Sequence, residues 1–218
     1  MRCFHIVSRI VLTGLVLLGL SVSSLNAATL TFDDLSCPSL SCQINTEFGE
    51  YAGFQWSNLN LMETDEFTLE PSGFHNGAVS GNNVVWGIAM GPGTFISKST
   101  PFDFNGATFT AGWRDGLKLG LSGWSNGVEL FSDSYTLSTQ QPLEVEVDYL
   151  GIDTLSFTTD FSMSTQHWSH GDGLQFAMDN FKHDMTAPVP EPEIYAMMLA
   201  GLGIMGWAAR KKKRQAAI

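Results

Sequence analysis

The 218-residue sequence predicts an all-β protein, a single β-sandwich of jelly-roll type followed by a C-terminal transmembrane helix. Three observations carry that expectation. Apolar and polar residues alternate with period two, Gly, Asn and Asp turn signals recur about every ten residues, and no useful helical period lies between the two apolar ends.

Glu144-Val145-Glu146-Val147-Asp148-Tyr149 alternates without a fault. Val145, Val147 and Tyr149 share one face and three carboxylates the other, as in a strand with one wet side. Phe109, Ala111 and Trp113 alternate before Asp115-Gly116, and Leu117, Leu119 and Leu121 after it. Asp-Gly between two such runs predicts a hairpin, because a tight turn needs positive φ. Ser125-Asn126-Gly127 marks the next turn, leading into Val128 and Leu130. Residues 154–158 and 174–178 supply further strands.

Three segments follow from the ends of the chain: a signal peptide at 1–28, the sandwich at 29–186 and a sorting segment at 187–218. Arg2 and Arg9 precede the apolar run Ile10 to Leu20, and small residues follow at Ala27 and Ala28. That order describes a secretory signal peptide, and the run is shorter than the roughly 20 residues of an uncleaved span. Export leaves Cys37 and Cys42 as the cysteines of the mature chain, which most simply close a small disulfide loop. Zinc is the competing reading, with an incomplete four-ligand set.

The sandwich holds four basic residues (Lys98, Arg114, Lys118, Lys182) against 20 acidic ones, a formal charge of −16. Such a surface repels phosphate backbones, so nucleic acid is not an expected partner, while hard cations are compatible with it.

Pro188, Pro190 and Pro192 make a stiff linker. Ile194 to Ala209 is then an uncharged apolar run of 16 residues, with Tyr195 and Trp207 near its ends and Arg210, Lys211, Lys212, Lys213 and Arg214 beyond. The positive-inside rule places that basic cluster in the cytoplasm and the acidic domain outside.

The order Val189-Pro190-Glu191-Pro192, apolar run with Gly201-Leu202-Gly203, basic end resembles the PEP-CTERM protein-sorting domain over about 25 residues. The resemblance implies an envelope-located protein of a Gram-negative organism that makes exopolysaccharide. Its partner would be an exosortase, a membrane cysteine transpeptidase, and the helix would anchor the precursor in the membrane. Pro190, Glu191 and Pro192 would be the recognition motif and Arg210 to Arg214 the cytoplasmic end; none would be catalytic. Ice binding, sometimes linked to such tails, would call for ranks of Thr or a short repeat, and no internal repeat is present.

The body resembles, more loosely, jelly-roll and galactose-binding-like carbohydrate modules through residues 79–84, 100–105, 113–127 and 176–181. In those modules the first and last strands adjoin and a calcium ion can tie them. Asp33, Asp34 and Asp179 would be its ligands here, and Ca2+ the one cofactor implied. The most site-like loop is His167-Trp168-Ser169-His170-Gly171-Asp172, where His167, Trp168, His170 and Asp172 could meet a metal or a sugar. Among Trp56, Trp86, Trp113, Trp124 and Trp168, core packing is the default and Trp168 the expected exposed exception.

No Gly-x-Ser-x-Gly elbow, His-Glu-x-x-His motif or P-loop occurs. The functional expectation is a noncatalytic cell-surface or matrix protein that binds exopolysaccharide. A secreted carbohydrate-active hydrolase with a carboxylate pair is the alternative.

Overall fold

The computed structural model describes residues 27–66, 71–88, 94–160, 162, 164–167, 171, 173–185 and 198–207. The strands are β1 Ala28–Leu30, β2 Cys42–Gln43, β3 Gln55–Ser57, β4 Leu59–Glu63, β5 Asn83–Ile88 and β6 Phe95–Ala111, then β7 Arg114–Asp115, β8 Leu117–Ser125, β9 Val128–Leu137, β10 Leu143–Asp160, β11 Thr165–Gln166 and β12 Gln175–Met185. Two short helices, α1 Ile44–Glu47 and α2 Gly73–Gly77, are additions that the alternating pattern does not announce. The Ser72 hydroxyl caps α2 by accepting from the His75 amide.

The strands form a β-sandwich, and β6 and β10 run through both of its layers. One layer has the order β2-β4-β5-β12-β6-β10, using the second half of β6 and the first half of β10. The other takes β3, the first half of β6, the second half of β10, β8 and β9. Both long strands turn the corner where the β6–β10 register slips, between Glu146 and Thr154. Such bends are how one strand serves two packed sheets. Gly151 sits at this corner with φ 67°, a conformation that costs a residue with a Cβ.

Alternating residues of the two layers meet in an aromatic core. Phe157 on the second half of β10 stacks on Phe176 of β12 at 5.1 Å and lies 6.4 Å from Phe109 of β6. Trp56 on β3 meets Phe181 of β12 at 5.5 Å and Phe32 at 5.4 Å, edge to face in both cases. Val145 and Tyr149 are buried while Glu144, Glu146 and Asp148 are exposed, as the alternation requires.

The Asp115-Gly116 hairpin is a correction. Gly116 does turn, with φ 77°, but the runs on either side belong to different layers. β6 pairs with β10 and β12, β8 pairs with β9 and β10, and Arg114–Asp115 pairs with Thr165–Gln166. Two amphipathic runs around a turn signal serve a hairpin or an arch between layers equally well, and here each run finds a better partner elsewhere. The Asn126-Gly127 hairpin between β8 and β9 forms as expected, both residues having positive φ (50° and 77°).

The first and last strands of the sandwich adjoin: Ala28, Thr29 and Leu30 pair with His183, Lys182 and Phe181. Ala28, drawn above as the end of the signal, is thus the first rung of a ladder. Residues 198–207 are helical and exposed, within the run expected to span the membrane. At 1.5 Å per residue they extend about 15 Å, and no described helix is long and apolar enough to cross a bilayer.

Candidate functional site

The two outer faces of β10 differ. Its first half turns carboxylates to solvent, Glu144, Glu146 and Asp148, whereas its second half turns out Thr154, Ser156, Thr158 and Asp160. Neighbouring strands continue the hydroxyl-rich character. In register across β10, β8 and β9 run the rows Ser156, Ser122, Ser132; Thr158, Gly120, Ser134; and Asp160, Lys118, Thr136. Opposite parity buries Leu117, Leu119, Leu121, Leu155 and Phe157, so this set faces outward because the core claims its neighbours.

This face carries a shallow groove of about 530 Å³, lined by Lys118, Gly120, Ser122, Ser132, Asp133, Ser134, Thr158, Thr159 and Asp160. Gly120 lets the neighbouring strand close in: the Thr158 hydroxyl oxygen lies over its backbone, 2.3 Å from where a Cβ would stand. The Ser122 and Ser132 hydroxyls are 3.3 Å apart, and Lys118 Nζ donates to Thr136 Oγ1 at 3.1 Å. Asp133 lines the groove but commits Oδ2 to the Tyr149 hydroxyl at 2.7 Å. Burial, then that hydrogen bond, pushes the Tyr149 phenol well above its ordinary pKa. Beyond the groove, the half-buried indole of Trp124 donates to Ser156 Oγ at 2.9 Å.

Sequence reasoning missed this face. The signal was available in Lys118-x-Gly120-x-Ser122, Ser132-x-Ser134-x-Thr136 and Thr154-x-Ser156-x-Thr158, where the wet parity is filled by small hydroxyls and glycine instead of long charged chains.

The chain after Asp160 leads into the loop singled out in the sequence. His167 is described there; Trp168, His170 and Asp172 lie outside the described residues. His167 Nδ1 is 2.5 Å from Asp115 Oδ2, and its Nε2 is 3.2 Å from Gln140 Nε2. Burial acts to raise the Asp115 carboxyl, but the Thr139 amide and hydroxyl, Ser138 and His167 together hold it below its ordinary value. The loop thus starts from a fixed imidazole. Of the other tryptophans, Trp56 and Trp113 are buried and Trp86 and Trp124 half-buried.

The three acids that the resemblance offers to calcium are engaged with protein donors. Fully buried Asp179 accepts from the amides of Val79 (2.9 Å), Ser80 (2.8 Å) and Asn180 (2.6 Å) and from the Ser80 hydroxyl. Burial raises its pKa against the opposing pull of these bonds. Asp33 accepts from the amides of Asn82 and Asn83, and Asp34 from the Tyr51 hydroxyl. Asp33 and Asp179 therefore grip one loop, residues 79–83, from opposite ends of the domain's sequence. Among the described residues no three His, Cys, Asp or Glu side chains gather as a metal site. Cys37 and Cys42 form the expected disulfide, with Cα atoms 5.7 Å apart.

Residues 188–214 match the PEP-CTERM protein-sorting motif. Pro190, Glu191, Pro192 and Arg210 to Arg214 all fall inside the match and outside the described residues. The chain thus carries a sorting tail, and such a motif indicates a surface protein sorted by an exosortase, through export and a membrane-anchored precursor. No curated protein matches the chain. Among solved structures, it is similar to TmCBM61 in complex with β-1,4-galactotriose (14% identity, TM-score 0.35, 67% of this chain and 99% of that one). It is also similar to the CBM22-1 xylan-binding domain of Paenibacillus barcinonensis Xyn10C (13% identity, TM-score 0.37, 69% and 95%). Both likenesses are too remote to bear on this chain's ligand.

Proposed function

We propose that this chain is a noncatalytic surface or matrix protein, released from its membrane-anchored precursor by an exosortase, whose sandwich holds an exopolysaccharide in the groove over β10, β8 and β9. The observation that carries the reading is the groove itself, lined by the hydroxyls of Ser122, Ser132, Ser134, Thr158 and Thr159 from three strands. Sugar hydroxyls and protein hydroxyls each donate and accept, so such a surface can exchange its water for a glycan. Hydrolysis would call for two acting carboxylates. Of the two that line the groove, Asp133 is bound to Tyr149 and Asp160 stands beside Lys118.

Retention of the exported protein on the producing strain's extracellular polysaccharide tests the reading. Ser122→Ala combined with Ser134→Ala is expected to weaken retention about tenfold, the loss of roughly 1.4 kcal/mol of hydrogen bonding. Undiminished retention by a folded double variant would overturn it. Intact mass measurement tests the sorting: the released form is expected to end before the apolar run, and a dominant species keeping Arg210 to Arg214 would refute processing.

A further inference from the structure

We infer that the groove takes a neutral glycan and turns away polymers bearing carboxylate or sulfate groups, an inference that rests on the polysaccharide reading above. The argument begins with where the four cations of the sandwich are spent. Lys98 donates to the Gly53 carbonyl and lies 4.9 Å from the Phe54 ring centroid. Arg114 donates from Nε to Ser164 Oγ and from Nη2 to the Ser164 carbonyl. Lys182 pairs with Glu144 at 2.5 Å and with Glu146 at 3.7 Å.

Among the described residues Lys118 is the one cation that lines the groove, and it does not stand there as an isolated charge. Its ammonium is engaged with Thr136, and Asp160 is its registered cross-strand neighbour, so the charge is locally offset. Among the described residues no guanidinium fork, the group that matches a carboxylate or sulfate with two parallel bonds, lines the groove. Exposed Glu129, Asp133 and Asp160 belong to the same outer strands. Behind them stands a domain of formal charge −16. A polyanion laid along this face meets repulsion at each repeat, over a Debye length of about 10 Å at 0.1 M salt. A neutral chain meets none, and the ring of hydroxyls is equally available to it.

The experiment splits the producing strain's extracellular polysaccharide by anion exchange into neutral and acidic pools. Binding of the exported protein to each is measured at 20 mM and 500 mM salt, with a third sample in which the carboxylates of the acidic pool have been reduced to alcohols. The neutral pool is expected to bind with the same affinity at both salts. The acidic pool is expected to bind at least tenfold more weakly at low salt, to gain as salt rises, and to gain most on reduction. Tighter binding of the acidic pool at low salt, or equal binding of both pools regardless of salt, overturns the inference and leaves polysaccharide binding standing. Binding of none of the three samples overturns the polysaccharide reading itself.

Discussion

The loop clamp around Asp179 and the groove around Gly120 are both built from short polar side chains, and they do opposite work. In the clamp every acceptor of a buried carboxylate meets an amide or a hydroxyl, so the polar groups hold the backbone and present nothing outward. In the groove the residues that carry the hydroxyls are exposed or half-exposed and line a shallow surface over three strands. The difference teaches that polar residues in a strand acquire a role from what lies across from them. A buried carboxylate that meets backbone amides holds the fold; a row of hydroxyls that meets solvent leaves its donors and acceptors open to exchange.

If that division holds, removing the clamp should cost the most stability. Asp179→Ala leaves the amides of Val79, Ser80 and Asn180 without their acceptor and is expected to destabilise by about 3 kcal/mol, measured by denaturant unfolding. A cost below about 1 kcal/mol would mean that the loop satisfies itself from water. Calcium sharpens the same point. With the Asp179 acceptors filled by protein donors, the melting midpoint should not differ between millimolar calcium and chelator. A calcium-dependent rise abolished by Asp33→Asn would put a cation back at the junction of the first and last strands.

Replacing Cys37 and Cys42 together by Ser should cost about 2 kcal/mol through the freedom restored to a short loop in the unfolded chain. The pH dependence isolates another buried polar group. His183 is buried against Phe54 at 4.9 Å and Phe181 at 5.8 Å, and burial, aided by Lys98 and opposed by Asp184, lowers its pKa below the ordinary 6.5. As pH falls through 6.5 the unfolded chain takes up a proton that the folded chain refuses, so stability should fall on acidification below that point. His183→Phe should flatten this part of the profile; an unchanged slope would assign it to other groups. The smallest effect is reserved for the groove. The Ser122→Ala, Ser134→Ala variant should unfold within about 0.5 kcal/mol of the parent, since Ser134 is exposed and the Ser122 hydroxyl meets that of Ser132 at the surface, at 3.3 Å.

Strand character, sandwich class, disulfide and tail were all legible in the sequence, because alternation, turn residues and a three-part tail are local signals. What lay beyond local reading is which run pairs with which. The Asp115-Gly116 turn is real, yet Ala111 faces Phe176 of β12, 65 positions away in sequence, while Leu117 faces Leu137. The choice depends on the long bent strands β6 and β10, whose halves enter different layers. The groove escaped for the same reason: Thr158, Gly120 and Ser134 become one surface only after three strands are placed side by side. The pairing of β1 with β12 was expected, but its fastening was not, since apart from the Asn180 amide the backbone donors that hold Asp33 and Asp179 come from residues 79–83, in neither strand.

That pairing also sets how the molecule would bear a pull. The tail leaves from Met185, at the corner where β6 and β10 bend, while Lys118 and Asp160 mark the opposite end of the second layer, beyond Phe157 and its contacts with Phe109 and Phe176. Tension between a glycan in the groove and an acceptor joined to the tail would therefore run along β12. This strand lies inside its sheet, bonded along one edge to β6 and along the other to β5 and then β1. A ladder loaded along its length must break many rungs together, whereas one peeled from its end gives way rung by rung. A pull along β12 would thus meet those hydrogen bonds in shear.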